Sequence, residues 1–166
     1  LRVAIATAKA LGEAIIARGG DAANCIPVPT ALVAARALAD AGLWPGASPD
    51  APARIGVALA SKRETAHLTL LDAPDRAADA MLADAAALER LHAQRPIAVL
   101  LADRFLPEPM RAAAQRLGID VRPPTLSAAA CARAALGIAP VDPALLLPLY
   151  PREPEAVTKW RALHPR

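Results

Sequence analysis

Seventeen prolines are distributed through 166 residues, and they set the first limit on the fold. Each removes a backbone donor and clashes with the preceding helical turn, so long uninterrupted helices are excluded. The chain must be assembled from short elements. Apolar residues make up 55% of it but aromatic ones only 2%, and much of the apolar share is alanine, which buries little surface per residue. Packing therefore has to come from Leu, Ile and Val and from elements that approach one another closely. The length allows one ordinary domain or two small lobes.

Nineteen basic and 16 acidic residues leave a formal charge of +3. The charges are interspersed and no run of Lys or Arg forms a nucleic-acid stripe, so a solvated surface is expected. Cys25 and Cys131 lie far apart in sequence, which points to a reducing compartment without a disulfide framework. His67, His92 and His164 show no metal-ligand spacing. No apolar stretch approaches the roughly 18 residues that cross a bilayer, and Lys9 and Glu13 interrupt the opening apolar segment too early for a signal peptide. The expectation is a soluble cytoplasmic protein with no membrane partner and no cofactor.

Residues 1 to about 18 read as a helix. At about 100° per residue, Arg2, Lys9 and Glu13 fall within an arc of about 40°, and the rest of the wheel is apolar or small. So narrow a polar stripe predicts burial on two sides, one against the chain's own sheet and one against something else. Gly19-Gly20-Asp21 supplies a helix stop. Thr30 is placed as the cap of a second helix, Ala31 to Ala41, closed by Gly42. Residues 47–52, within the proline-rich stretch 44–52, read as a linker between an N-terminal part, 1–46, and a C-terminal α/β lobe, 53–166.

Beyond the linker, Arg54 to Ala60 and Thr65 to Leu71 read as an antiparallel hairpin turning at Ser61-Lys62-Arg63-Glu64. Arg76 to Gln94, rich in Ala and Leu, reads as a helix. Pro96 to Ala102 is a near-continuous apolar run, as a strand covered on both faces requires. Helices are expected at Leu106 to Leu117 and Ser127 to Leu136, with a short strand at Ile119 to Arg122 between them. The C-terminal part is thus an α/β layer with a mixed sheet and flanking helices. The first third offers too little sheet to bury its helices, so the N-terminal lobe reads as incomplete.

Two stretches resemble one family. Leu1-Arg2-Val3-Ala4-Ile5-Ala6-Thr7-Ala8-Lys9-Ala10-Leu11 is similar to a family helix that follows a Gly-Pro-Gly-Ser-Phe-Thr-Gly turn. Leu147-Pro148-Leu149-Tyr150-Pro151-Arg152-Glu153-Pro154-Glu155, with Lys159-Trp160 after it, resembles the family's C-terminal Pro-x-Tyr-Leu-Arg-x-Pro segment. Ile26-Pro27-Val28 to Ala35 is similar to a third family segment. The family is that of the TsaB-type dimerisation subunit of the bacterial tRNA threonylcarbamoyladenosine machinery, a Gcp-like (glycoprotease-like) group. The departures are Ala60-Ser61-Lys62 in place of an Asp-Ala-Arg turn, His67 in place of a tyrosine, and Ala102-Asp103-Arg104 in place of a glycine-rich turn. The upstream lobe that would precede Leu1 is missing from the pattern.

The resemblance implies an actin-, sugar-kinase- and heat-shock-ATPase-like (ribonuclease H-like) lobe. It implies a non-catalytic scaffold that supports threonylcarbamoyl transfer to adenosine 37 of tRNA by dimerising with a catalytic paralogue. An associated ATPase subunit is a further partner, tRNA is reached only indirectly, and a homodimer stays open. The interface is placed on the opening helix, at Leu1, Arg2, Ile5, Ala8, Lys9 and Gly12, where small residues permit close helix approach.

Catalysis finds little footing in the residues. No strand ends in the glycine-rich turn whose amides cradle phosphates. His92 and His164 lack a histidine at helical spacing, and Ser61, Thr125 and Ser127 stand outside a Gly-x-Ser-x-Gly context. Thr125 or Ser127 is expected to cap a helix. Glu153 and Glu155 read as solvated charge, Tyr150 and Trp160 as anchors for the tail, and Arg152, Lys159, Arg161 and Arg166 as a diluted basic patch. Two readings compete with the scaffold: a small-molecule kinase or ATPase of the same superfold, and a decayed or mis-started gene product without independent function.

Overall fold

The computed structural model describes residues 10, 13–19, 25–46, 54–142, 145 and 155–164. Two compact units divide the chain, Val28–Ile138 and a second made of Leu1–Pro27 with Ala139–Arg166. These bounds differ from the expected 1–46 and 53–166, because the helix Thr30–Asp40 belongs with the sheet that follows it. The expected linker at 47–52 lies outside the described residues.

The larger unit is a mixed five-stranded sheet covered by helices on both faces. In chain order it runs α1 (Thr30–Asp40), β1 (Arg54–Lys62), β2 (Thr65–Ala73), β3 (Arg76–Ala83), α2 (Ala85–Gln94), β4 (Ile97–Ala102), α3 (Glu108–Arg116), β5 (Asp120–Arg122) and α4 (Ala128–Ala135). The strand order is β3-β2-β1-β4-β5. β1 pairs antiparallel with β2 and parallel with β4, β2 pairs antiparallel with β3, and β4 pairs parallel with β5. Only β2 therefore runs against the other four.

Residues 76–83 correct the expected helix Arg76 to Gln94: they form β3, and only Ala85–Gln94 is helical. Alanine favours a helix in isolation, but here the segment pairs along β2 from Ala73↔Arg76 to Ala66↔Ala83. The break falls at Asp84, whose Oδ1 accepts the Ala87 N–H at 2.8 Å and caps α2. Two capping assignments resolve differently. Ser127 Oγ accepts the Ala130 N–H at 3.1 Å and caps α4, whereas Thr30 is already helical and Pro29 precedes it without a side-chain cap.

β4 carries the continuous apolar run for the expected reason. Ile97, Leu100 and Ala102 join the cluster under α2 and α3, while Val99 and Leu101 join the cluster under α1. Arg54 pairs with Ile97 but Ile55 with Val99, so Ala98 is an extra residue, and it is exposed. That bulge lets Ile97 and Leu100 share a face despite a spacing of three. The Ile97 N–H at the bulge donates to His92 Nδ1 at 3.2 Å, so this histidine is half-buried and ties the end of α2 to β4.

In the smaller unit, residues 13–17 are helical and Gly19 closes them at φ 78. Cys25 and Val141 exchange backbone hydrogen bonds at 2.9 and 2.8 Å. The tail, read from sequence only as a polar end, contains a helix α5 (Glu155–Leu163). No helix among the described residues is long and apolar enough to cross a membrane.

Candidate functional site at the carboxyl ends of the strands

In sheets of this kind ligands meet the molecule beyond the carboxyl ends of the parallel strands, where connections leave a neighbouring pair in opposite directions. Here that point lies between β1 and β4. The chain leaves β1 for β2 on one side, and leaves β4 through α3 for β5 on the other. The register sets Ala58 beside Ala102, so the turn after β4 and the β1–β2 hairpin belong to the same end of the sheet.

The hairpin is tighter than the sequence suggests. Lys62 pairs with Thr65, leaving a two-residue connection, Arg63-Glu64. Such turns need a positive φ, normally supplied by glycine, and here Arg63 adopts φ 58. It is the only described residue other than glycine to do so. Holding an arginine there costs roughly 1 kcal/mol relative to an ordinary conformation. Arg63 and Glu64 are both exposed.

The turn after β4 is equally well defined. Asp103 Oδ1 accepts the Phe105 N–H at 2.8 Å, and the Asp103 carbonyl accepts the Leu106 N–H at 3.2 Å. This small frame displays Phe105 at 64% exposure, while Leu106 turns inward at 5%. The Arg104 guanidinium sits 4.8 Å from the centre of the Phe105 ring, within cation–π range. Two carboxylates at this end, Asp84 and Asp103, are committed to backbone N–H groups. Arg122, at the end of β5, is held by Asp120.

At the opposite end, a charged network joins three strands. Arg54 is 8% exposed and lies 3.5 Å from Asp72 and 3.6 Å from Asp79, while Arg95 meets Asp72 at 2.8 Å. Arg54 Nε and Asp72 Oδ1 lack good hydrogen-bond geometry although their charges are paired. The network pins β3 to β1 through charge and not through apolar burial, since the described side chains of β3 other than Met81 and Ala83 are exposed.

The expected partner-interface residues Leu1, Arg2, Ile5, Ala8, Lys9 and Gly12 lie outside the described residues, as do Tyr150, Arg152, Glu153 and Arg166. The described part of that opening segment, Ala10 and Glu13–Gly19, is exposed, including Ile15 at 37% and Ile16 at 55%. Trp160, expected as a docked anchor, is 63% exposed and stacks on His164 at 3.9 Å. Lys159 and Arg161 are exposed beside it. Among the described residues no group of three or more His, Cys, Asp or Glu side chains could hold a metal ion.

Sequence reasoning passed over Phe105 and the Arg54 network. A signal for the first was available: Phe105 is the chain's single phenylalanine, and it directly follows a strand end in a chain whose core uses none. Comparison with family models, curated proteins and solved structures finds no match to the chain.

Proposed function

We propose that the chain is a non-catalytic, partner-binding subunit that supports threonylcarbamoyl transfer to adenosine 37 of tRNA in the cytoplasm. In this reading it is a TsaB-type lobe that assembles with its catalytic paralogue. The observation that carries it is the sheet. Five strands ordered β3-β2-β1-β4-β5, with β2 alone reversed and helices on both faces, suit one lobe of the actin-like, ribonuclease H-like superfold. That lobe is what the resemblance at 1–11 and 147–155 calls for. The strand ends support a binding role over an ATPase one. Where a phosphate cradle would need clustered glycine amides, β1 turns through Arg63-Glu64 and β4 through Asp103-Arg104-Phe105.

The test is reconstitution with the paralogue from the same genome. Adding the chain should raise threonylcarbamoyl transfer to tRNA, and Ala8→Arg should abolish both the gain and the association. A paralogue indifferent to the chain, or nucleotide hydrolysis by the chain alone, would favour the kinase or ATPase reading.

A further inference from the structure

The two hairpins of the sheet turn differently. β1 and β2 are joined by Arg63-Glu64, where Arg63 takes the positive φ of a turn whose twist matches its strands. β2 and β3 are joined by Pro74-Asp75, since Ala73 pairs with Arg76, and neither turn residue has a positive φ. Pro74 cannot adopt one, because its ring holds φ negative. A turn of this kind splays the strands that leave it, and the ladder beside it is irregular. Register shifts fall at Leu70/Leu71 and Leu71/Ala73, so Ala78 on β3 and Asp72 on β2 have no residue opposite. From Asp79 to Ala83 the pairing is regular.

Burial divides β3 near the same place. Met81 packs against the core under α2 and α3, and Ala83 is 1% exposed within it. Arg76, Ala77, Asp79 and Ala80 are exposed. Consecutive strand residues point to opposite faces, so neither face of this half is covered. What fastens it sideways is the ion pair of Asp79 with Arg54, at 3.6 Å and with the Asp79 side chain 60% exposed. Arg54 also has Asp72 at 3.5 Å, which Arg95 holds in turn. Loss of Asp79 therefore strands no buried charge without a counter-ion.

We propose that Pro74–Asp79 is a strap that swings away from β2, hinged at Ala80, while the rest of the sheet stays folded. The Arg54–Asp79 pair is its latch, and salt weakens the latch. Opening frees the outer edge of β2 from Leu70 to Ala73 and the Asp79 side of the Arg54 guanidinium. It removes almost no apolar surface from contact, which sets it apart from unfolding. The inference goes beyond the subunit reading and needs no partner.

The experiment is native-state amide hydrogen exchange of the full chain, resolved by residue, in subdenaturing urea and from about 0.02 to about 0.5 M sodium chloride. The ladder-bonded amides within Arg76–Asp79 should be at least about 100-fold less protected than those of β4, with no dependence on urea, because local opening exposes little surface. Their protection should fall about three-fold as salt rises. Asp79→Asn should lower it about three-fold at low salt and remove the salt dependence. Replacing Pro74-Asp75 by Asn-Gly supplies the missing positive φ and should raise it. Glu89→Gln, which breaks the pair with Arg116 between α2 and α3, should leave the strap unchanged. Strap amides as protected as those of β4, with the same urea slope, would overturn the proposal. So would an Asp79→Asn variant with unaltered protection and salt dependence, or no gain in the Asn-Gly variant. Amides of β4 monitor global stability in every variant, so a general loss of folding is told apart from release of the strap.

Discussion

The two faces of the sheet place their alanines differently. Under α2 and α3 they stand on both sides of the seam, Ala58, Ala66, Ala83 and Ala102 at the strands and Ala113 and Ala114 on α3, and between them large side chains meet from both sides: Leu68, Leu70, Ile97 and Leu100 against Leu88 and Met110. Under α1 and α4 the alanines stand on the helices alone, Ala31, Ala34, Ala35 and Ala134 beside Leu32 and Leu38, and the strands answer with Ile55, Val57, Leu71, Val99 and Leu101. The contrast shows how a chain so poor in aromatics makes a core. The first, bulky face depends on large side chains meeting, the second, close face on small helix side chains facing large strand ones, and each is vulnerable to the opposite kind of change.

The largest effect is expected from removing bulk. Leu100, fully buried on β4, should cost about 3–4 kcal/mol when changed to alanine, seen as a fall in the denaturation midpoint at unchanged slope. A loss below about 1 kcal/mol would mean that the bulky face collapses readily and the contrast is overstated. Adding bulk to the close face comes next. Ala35 is 0% exposed, and Ala35→Leu should cost about 2 kcal/mol by lifting α1 from the sheet. Ala35→Leu at no cost would show that the alanine face is loosely filled.

Gly56→Ala adds bulk to the face under α2 and α3. A Cβ at Gly56 would stand 2.9 Å from Leu100 Cδ1 and 3.1 Å from Leu68 Cδ1, so two buried leucines must shift. A cost of about 1–2 kcal/mol is expected, and it should shrink in a Leu100→Ala background, where the obstructing methyl is gone. The smallest effect is on the α1–α4 surface. Asp40 meets Arg133 Nε at 3.0 Å and Arg36 at 3.3 Å, but the pairs are partly solvated, and Asp40→Ala should cost at most about 1 kcal/mol, less in high salt. A larger loss would make charge, and not alanine packing, the fastening of that face.

How much of this was legible follows from the same contrast. β4 was legible because a strand buried on both faces must read as an unbroken apolar run. The hairpin and the helix stops were legible because turn chemistry is local: Gly42 and Gly118 adopt φ 70 and 68 where the sequence ends those helices. β3 was not. Its alanines favour a helix, and only pairing with β2, a tertiary event, decides otherwise; Asp84, a good cap in the middle of the supposed helix, was the available warning. α5 was missed although Val157, Trp160 and Leu163 recur at helical spacing, because Pro151 and Pro154 just before it marked the tail as irregular. The site was half legible. The departures at Ala60-Ser61-Lys62 and Ala102-Asp103-Arg104 pointed to the right turns, but the significance of Phe105 and Arg63 depends on exposure and φ, which spacing does not carry.

The reading as a docking lobe is tested most directly by mixing the chain with its catalytic paralogue and measuring molar mass by light scattering as they elute from a sizing column. A single species with the summed mass of one copy of each is predicted, lost with Ala8→Arg and retained with Leu82→Ser on the exposed side of β3. Two separate peaks at tens of micromolar, each with the mass of an unassociated protein, would contradict it.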